Sequence, residues 1–371
     1  MTIKNKKIEL PFHVVKRASI PLWKSIAFRA AAIVLGILFC ALLSTLLIKA
    51  DPLQFIKTLF SGSFETKRRL WKFTKDTAML LCIALAITPA FKMRFWNIGA
   101  EGQTLMGALA AVAVIIKLRG TWVPNGLMIV LMLLAAVLVG AVWGGIPAVF
   151  KALWGTNETL FTLMMNYIAT GLVSYFLLLW TPSGSSVLGM LQEGHLPIVL
   201  HEYFLVILSI GILTLLVYIY QQYTKQGYEI SVVGESENTA KYIGINVKKV
   251  IIRTMLISGA ICGFAGFLIV AGLDHSVTTT AVGGMGFTAI MVSWLAKFNP
   301  AMMIATAAFI TFLDQGAAQV TTEFNVDSAF PSMMVGIVLF FIIGCEFFIN
   351  YKLKLKKTSA NAKAQKEVNG K

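Results

Sequence analysis

Between two apolar runs the chain reads Phe95-Trp96-Asn97-Ile98-Gly99-Ala100-Glu101-Gly102-Gln103. Asn97, Glu101 and Gln103 set two amides and a carboxylate among small residues, so this segment can exchange hydrogen bonds where its neighbours offer only hydrocarbon. Polar groups beside a hydrocarbon layer cost several kcal/mol unless they are satisfied, and a helix that serves only as an anchor has no use for them. Glu101 has two readings: an anion at a helix N-terminus, where the dipole favours it, or a group that touches a solute. Asn166, Thr288 and Ser293 add an amide and two hydroxyls, and Phe287 supplies a ring. A few such groups between apolar walls suit weak, reversible binding of an uncharged polar solute. Trp96, Phe287 and Trp294 can stack on a ring of that solute or anchor at the membrane interface.

Nothing points to covalent chemistry. The four histidines, His13, His195, His201 and His275, have no metal-ligand spacing, and the four cysteines, Cys40, Cys82, Cys262 and Cys345, lie in apolar runs and read as packing residues. No phosphate-binding glycine loop of the Walker type is present, so ATP hydrolysis within this chain is not expected.

These groups must be positioned by membrane helices. Hydrophobic residues make up 57% of the chain and charged residues 13%, with a mean hydropathy of +0.77, which excludes an ordinary soluble domain. Runs such as Ala30–Ile48, Leu160–Trp180, Thr254–Leu273 and Phe330–Cys345 are near the roughly 20 residues that cross a bilayer as a helix. The period of barrel strands is missing, so the fold class is all-α and polytopic, with about ten spans. The first run, long and without a clear cleavage site, reads as a retained anchor.

The net charge of +15 does not imply nucleic acid, because the bases flank spans: Lys4, Lys6, Lys7, Lys16, Arg17, Lys24 and Arg29 before the first, and Lys352, Lys354, Lys356 and Lys357 after the last. The positive-inside rule then places both termini in the cytoplasm, in a multi-pass protein of the plasma membrane, with Glu193 and Asp327 outside. The expected organisation is a cytoplasmic arm at 1–29, a transmembrane domain at 30–350 with an inside loop at 221–249, and a basic cytoplasmic tail at 351–371. Lys57, Lys67, Arg68, Arg69, Lys72 and Lys75 break the rule, in a loop that the span count puts outside, so either that loop is an interfacial amphipathic segment or the count is off by one near it.

The chain divides into two weakly similar halves. In each, an apolar run leads to a glycine-bearing break, Gly99 and Gly102 in the first and Gly283, Gly284 and Gly286 in the second, followed by another apolar segment. Paired breaks of this kind point to discontinuous helices lining a path, although glycines also serve close helix packing. Asn157 and Glu158, ahead of the run at Leu160, read as a cap and hinge. In the inside loop, Gly234-Glu235-Ser236-Glu237-Asn238-Thr239-Ala240-Lys241-Tyr242-Ile243-Gly244 predicts a helix capped by Ser236 and stopped at Gly244. Two turns are too short to be stable alone and need a docking partner.

This loop, its continuation Ile257–Gly266, the Asn97–Gln103 segment, Asn157-Glu158-Thr159-Leu160 and Gly284–Phe287 together resemble the permease subunits of ATP-binding-cassette (ABC) importers, in the branch that handles nucleosides and simple sugars and belongs with the ribose and branched-chain amino acid permeases. The resemblance covers about Asp51 to Tyr351. The family often has Arg at Ser231 and Asp at Thr288, so the chain departs from the pattern at both positions. The resemblance implies that Gly234, Glu235, Ser236, Glu237, Asn238, Ala240, Tyr242 and Gly244 form a helix that docks in a groove of a cytoplasmic ATPase and transmits its closure. It also implies a second permease subunit in a heterodimer, an extracellular substrate-binding lipoprotein, ATP and Mg used by the ATPase alone, no cofactor in this chain, and a nucleoside such as guanosine or uridine as solute. A ribose-type sugar importer is the alternative. An ion-coupled secondary transporter is a further one, with Glu101 and Asp314 as its relay candidates.

Overall fold

The computed structural model describes residues 12–17, 21–49, 51–181, 188–327 and 329–355. Lys4, Lys6, Lys7, Lys356 and Lys357 of the expected basic termini lie outside them. Among the described residues, nine helices are long and apolar enough to cross a membrane, and a tenth, Met285–Leu295, is apolar but short. This is an all-α polytopic membrane protein.

The chain folds as two compact units. In the first, Met1–Gly62 with Leu313–Lys371, helix α1 (Leu22–Ile48) packs on α13 (Phe330–Asn350). Helix α1 starts within the segment expected as an arm. Gly36 lets the α1 backbone approach Val338, and Arg29 pairs with Glu346 at 3.2 Å. Strands β1 (Phe12–Lys16) and β2 (Tyr351–Leu355) form an antiparallel ribbon that pairs Phe12 with Leu355. In the same unit Thr58, on α2 (Pro52–Phe64), donates to Glu323, on α12 (Pro300–Phe324), at 2.9 Å.

The second unit, Ser63–Phe312, is built around α10 (Val247–Leu268), which packs against α3 (Lys67–Lys92), α4 (Ala100–Leu118) and α5 (Asn125–Trp154). Lipid supplies no hydrophobic drive for helix association, so close backbone contact must do that work. A side chain on Gly263 would collide with the carbonyl of Ala136 on α5, and one on Gly259 with that of Gly140. All four cysteines are buried, with Cys82 and Cys262 wholly inside this unit.

Two sequence expectations change here. The basic segment is not a loop: Lys67, Arg68, Arg69, Lys72 and Lys75 occupy the first turns of α3, where Thr66 caps the helix by accepting from Arg69 N at 3.3 Å. The inside loop holds more than one short helix. After α7 (Phe204–Tyr223) comes α8 (Lys225–Glu235), then α9 (Glu237–Tyr242). Gly227 permits the fold-back, since a Cβ there would lie 2.5 Å from the carbonyls of Tyr220 and Gln221.

Candidate functional site

The first break follows Pro89, which sits inside the last turns of α3 and lacks the N–H that continues a helix. The chain leaves the helix through Arg94 in the left-handed region (φ 62°) and reaches Asn97, which is fully buried. Asn97 and Gln103 form a reciprocal amide pair: Asn97 Nδ2 donates to Gln103 Oε1 at 3.3 Å, and Gln103 Nε2 returns to Asn97 Oδ1 at 3.1 Å. Asn97 Oδ1 also accepts from Gly99 N at 3.0 Å, and Nδ2 donates to Ser258 Oγ on α10 at 3.2 Å. Each polar atom of that side chain has a partner, as a buried amide requires.

Helix α6 (Glu158–Trp180) closes the break from the other side. Asn166 Oδ1 accepts from Gly102 N at 2.9 Å, its Nδ2 donates to Ile98 O at 2.9 Å, and Thr162 Oγ1 accepts from Ile98 N at 3.2 Å. One N-terminal N–H of α4, that of Gly102, is thus satisfied by another helix, which also holds both backbone groups of Ile98 just ahead of it. A Cβ on Gly102 would lie 2.8 Å from Asn166 Oδ1, so that glycine admits the capping amide. Helix α6 is itself capped as the sequence suggested: Asn157 Oδ1 accepts from Leu160 N at 3.2 Å, and Glu158 pairs with Lys151 at 2.9 Å.

The second break begins where α10 widens into a π-helical turn, Ile269–Asp274. The chain then passes through Gly283 (φ 61°) and Gly284 (φ 77°) into α11 (Met285–Leu295). Here the two halves meet. Glu101 of α4 accepts from Gly284 N at 2.9 Å through Oε1 and from Gly286 N at 2.8 Å through Oε2. A carboxylate across the first N–H groups of a helix satisfies them and complements the dipole. A Cβ on Gly286 would lie 2.6 Å from Glu101 N and 2.8 Å from Glu101 Oε2, so only glycine allows this approach. Glu101 stands in the first turn of its own helix, yet the helix it caps is α11.

The sequence-derived site residues therefore separate into two sets. Asn97, Gln103 and Ser293 are fully buried or nearly so and bond within the chain; Ser293 Oγ donates to Ala84 O at 3.1 Å and meets Thr88 Oγ1 at 3.1 Å. Phe287 (43% exposed), Met291 and Trp294 (51%) form an uncovered stripe on α11. Trp96 (43% exposed) lies beside it, its ring 5.4 Å from that of Trp294. Thr288 is half-buried, and its hydroxyl turns back to Gly284 O at 3.3 Å. Reading the sequence missed Thr162 and Ser258. The spacing of Thr162 and Asn166, one turn apart on an apolar helix, was a usable signal, and so was that of Thr254 and Ser258.

In α9, Ser236 Oγ accepts from Thr239 N at 3.2 Å and Gly244 (φ 85°) ends the turn. The short helix has its partner inside the chain, which the sequence did not reveal. Ala240 is fully buried in a cluster with Ile230, Val233, Val247 and Met255, and Gly234 is pressed against the carbonyl of Lys92 at the end of α3. The outward groups are Glu235, Glu237, Asn238, Gly244 and Tyr242, the last 93% exposed.

Comparison with known proteins places this architecture. A glucose ABC transporter permease of Haloferax volcanii is 27% identical, covering 91% of this chain and 92% of the relative. A guanosine ABC transporter permease of Bacillus subtilis is 29% identical, covering 82% and 89%. A nucleoside ABC transporter permease of Lactococcus lactis is 25% identical, covering 91% and 95%. The family described as branched-chain amino acid transport system / permease component matches residues 71–343, and the chain belongs to it.

Proposed function

We propose that this ABC importer permease takes up nucleosides of the guanosine or uridine kind, delivered by an extracellular binding protein. As a permease subunit the chain is a transport component, not an enzyme, and it works in the plasma membrane as a multi-pass protein. Its family implies an ATPase and a substrate-binding protein as partners. The observation that carries the nucleoside reading is the uncovered aromatic stripe of Phe287 and Trp294, with Trp96 beside it, at a break whose polar side chains are amides and hydroxyls apart from Glu101, which is taken up in capping α11. A flat ring stacks on such faces. The guanosine and nucleoside permeases among the relatives support the same reading, while the glucose permease keeps a simple sugar as the second one.

In this proposal Glu235, Ser236, Glu237, Asn238, Tyr242 and Gly244 present the outer surface of the coupling segment 221–249 to the ATPase, which alone uses ATP and magnesium. Gly234 and Ala240 back that surface from inside. Because α8 bears on the end of α3, displacement of α8 and α9 passes through Lys92 into the Asn97 break, and from Glu101 to α11. Both termini and the coupling segment face the cytoplasm, and a second, similar permease completes a heterodimer around the path. The arm at 1–29 and the tail at 351–371 flank the transmembrane domain on that side. Uptake of labelled guanosine or uridine, in cells with and without the gene, tests the solute. Competition by unlabelled nucleosides but not by ribose or glucose is expected; the reverse pattern would replace the nucleoside with a sugar.

A further inference from the structure

A groove of about 340 Å³ lies between α8 and the first turns of α10. Helix α8 lines it with Lys225, Tyr228 and Glu229, α10 with Lys249 and Arg253 behind its cap Asn246, and the turn at Gly244, on the side proposed to face the ATPase, closes one edge. Three cations face one carboxylate. Arg253 Nη2 donates to Glu229 Oε2 at 2.9 Å, but Arg253 Nε, shielded from solvent, has no hydrogen-bond partner. Lys225 and Lys249 are exposed and have no ion-pair partner among the described residues. The groove therefore holds an excess of donors and positive charge that its one carboxylate, Glu229, only partly offsets among the described residues.

Its depth says what kind of anion. The span Val247–Asp274 has 28 residues, about 42 Å of helix at 1.5 Å per residue, against a hydrocarbon core of about 30 Å. The uncharged part of the span, Thr254–Leu273, alone accounts for about 30 Å, so Lys249 and Arg253, which precede it, belong to the turn of α10 at the headgroup layer. Tyr223, the last residue of the membrane helix α7, and Tyr228 are exposed (74% and 62%), and amphipathic rings at the end of a span settle at membrane interfaces. We propose that this groove binds the phosphate headgroup of an anionic phospholipid, with Lys225, Lys249 and Arg253 on the phosphate and Tyr228 against the upper acyl chain. Basic pockets between membrane helices suit such headgroups, and the assignment does not depend on which solute is carried.

The test measures lipid binding to the purified full-length chain by native mass spectrometry, titrating phosphatidylglycerol, phosphatidylcholine and soluble glycerol phosphate. Phosphatidylglycerol is expected to bind saturably and phosphatidylcholine not to. The Lys225→Gln/Lys249→Gln double variant should bind about 25-fold more weakly, about fivefold for each charge removed, whereas Lys117→Gln/Arg119→Gln, at the far end of α4, should bind normally. Equal binding of the two lipids, or an unaffected double variant, would overturn the site. Glycerol phosphate competing as well as the lipid would make it a soluble-phosphate site instead. Complete loss of the lipid when the chain is isolated with its ATPase would reassign the groove to the protein interface.

Discussion

The carboxylate of Glu101, in the first turn of α4, accepts the backbone N–H of Gly286, in the first turn of α11, at 2.8 Å. The second oxygen takes Gly284 N at 2.9 Å, so one side chain ties the break of the first half to the break of the second. The residues are far apart in sequence, and neither half explains the contact alone.

Glu101→Gln keeps one acceptor but replaces the other oxygen by a donor facing an N–H. The expected loss is about 1–2 kcal/mol of stability, with reduced uptake. Glu101→Ala leaves two N–H groups unsatisfied and should cost about 2–4 kcal/mol. Gly286→Ala should resemble Glu101→Ala, because its methyl group occupies the carboxylate's place. Thermal melting in detergent together with solute uptake checks the order; equal behaviour of Gln, Ala and wild type would remove the cap from the mechanism.

Ala240 and Tyr242 should respond in opposite ways. Ala240→Glu places a charge in a closed apolar cluster and is expected to abolish the folded protein. Tyr242→Glu and Asn238→Arg, on the outward face, should leave melting unchanged while weakening ATPase capture in a pull-down and lowering uptake. An Ala240→Glu protein that melts normally would show that α9 does not dock as described.

His275 stacks on His195 with ring centroids 3.8 Å apart, where Leu191 N donates to His275 O at 2.9 Å. Burial, and then the charge of His195, hold His275 below the usual imidazole pKa, only partly offset by its backbone hydrogen bond and by Asp274 and Glu202. A histidine kept neutral by folding binds fewer protons folded than unfolded. Its stability contribution is therefore complete above the unfolded pKa of about 6.5 and declines as pH falls through and below that value. Melting temperature should fall from pH 7.5 to pH 5.5, and His275→Gln should flatten that slope.

Topology is open to labelling, since all four native cysteines are buried. On intact cells an impermeant maleimide should modify single cysteines at Glu193 and Asp327 but not at Glu237. Labelling at Glu237 from outside would invert the proposed orientation.

The sequence by itself determined the class. Apolar runs of bilayer length, bases at their ends and the paired glycine breaks are local signals, and each follows from the cost of polar groups in lipid. It also determined the short helix Glu237–Tyr242 and the cap at Asn157, because caps are read within a few residues. The tertiary structure decided what the polar residues do. That Asn97 and Gln103 satisfy each other, that Asn166 caps α4, and that Glu101 caps α11 depend on which helices lie side by side. A side chain's type states its need for a partner; only the packing of α4, α6, α10 and α11 names the partner. The same reason separates Ala240 from Tyr242: they are two residues apart on one short helix, and the core formed by other elements turns the first inward and leaves the second uncovered.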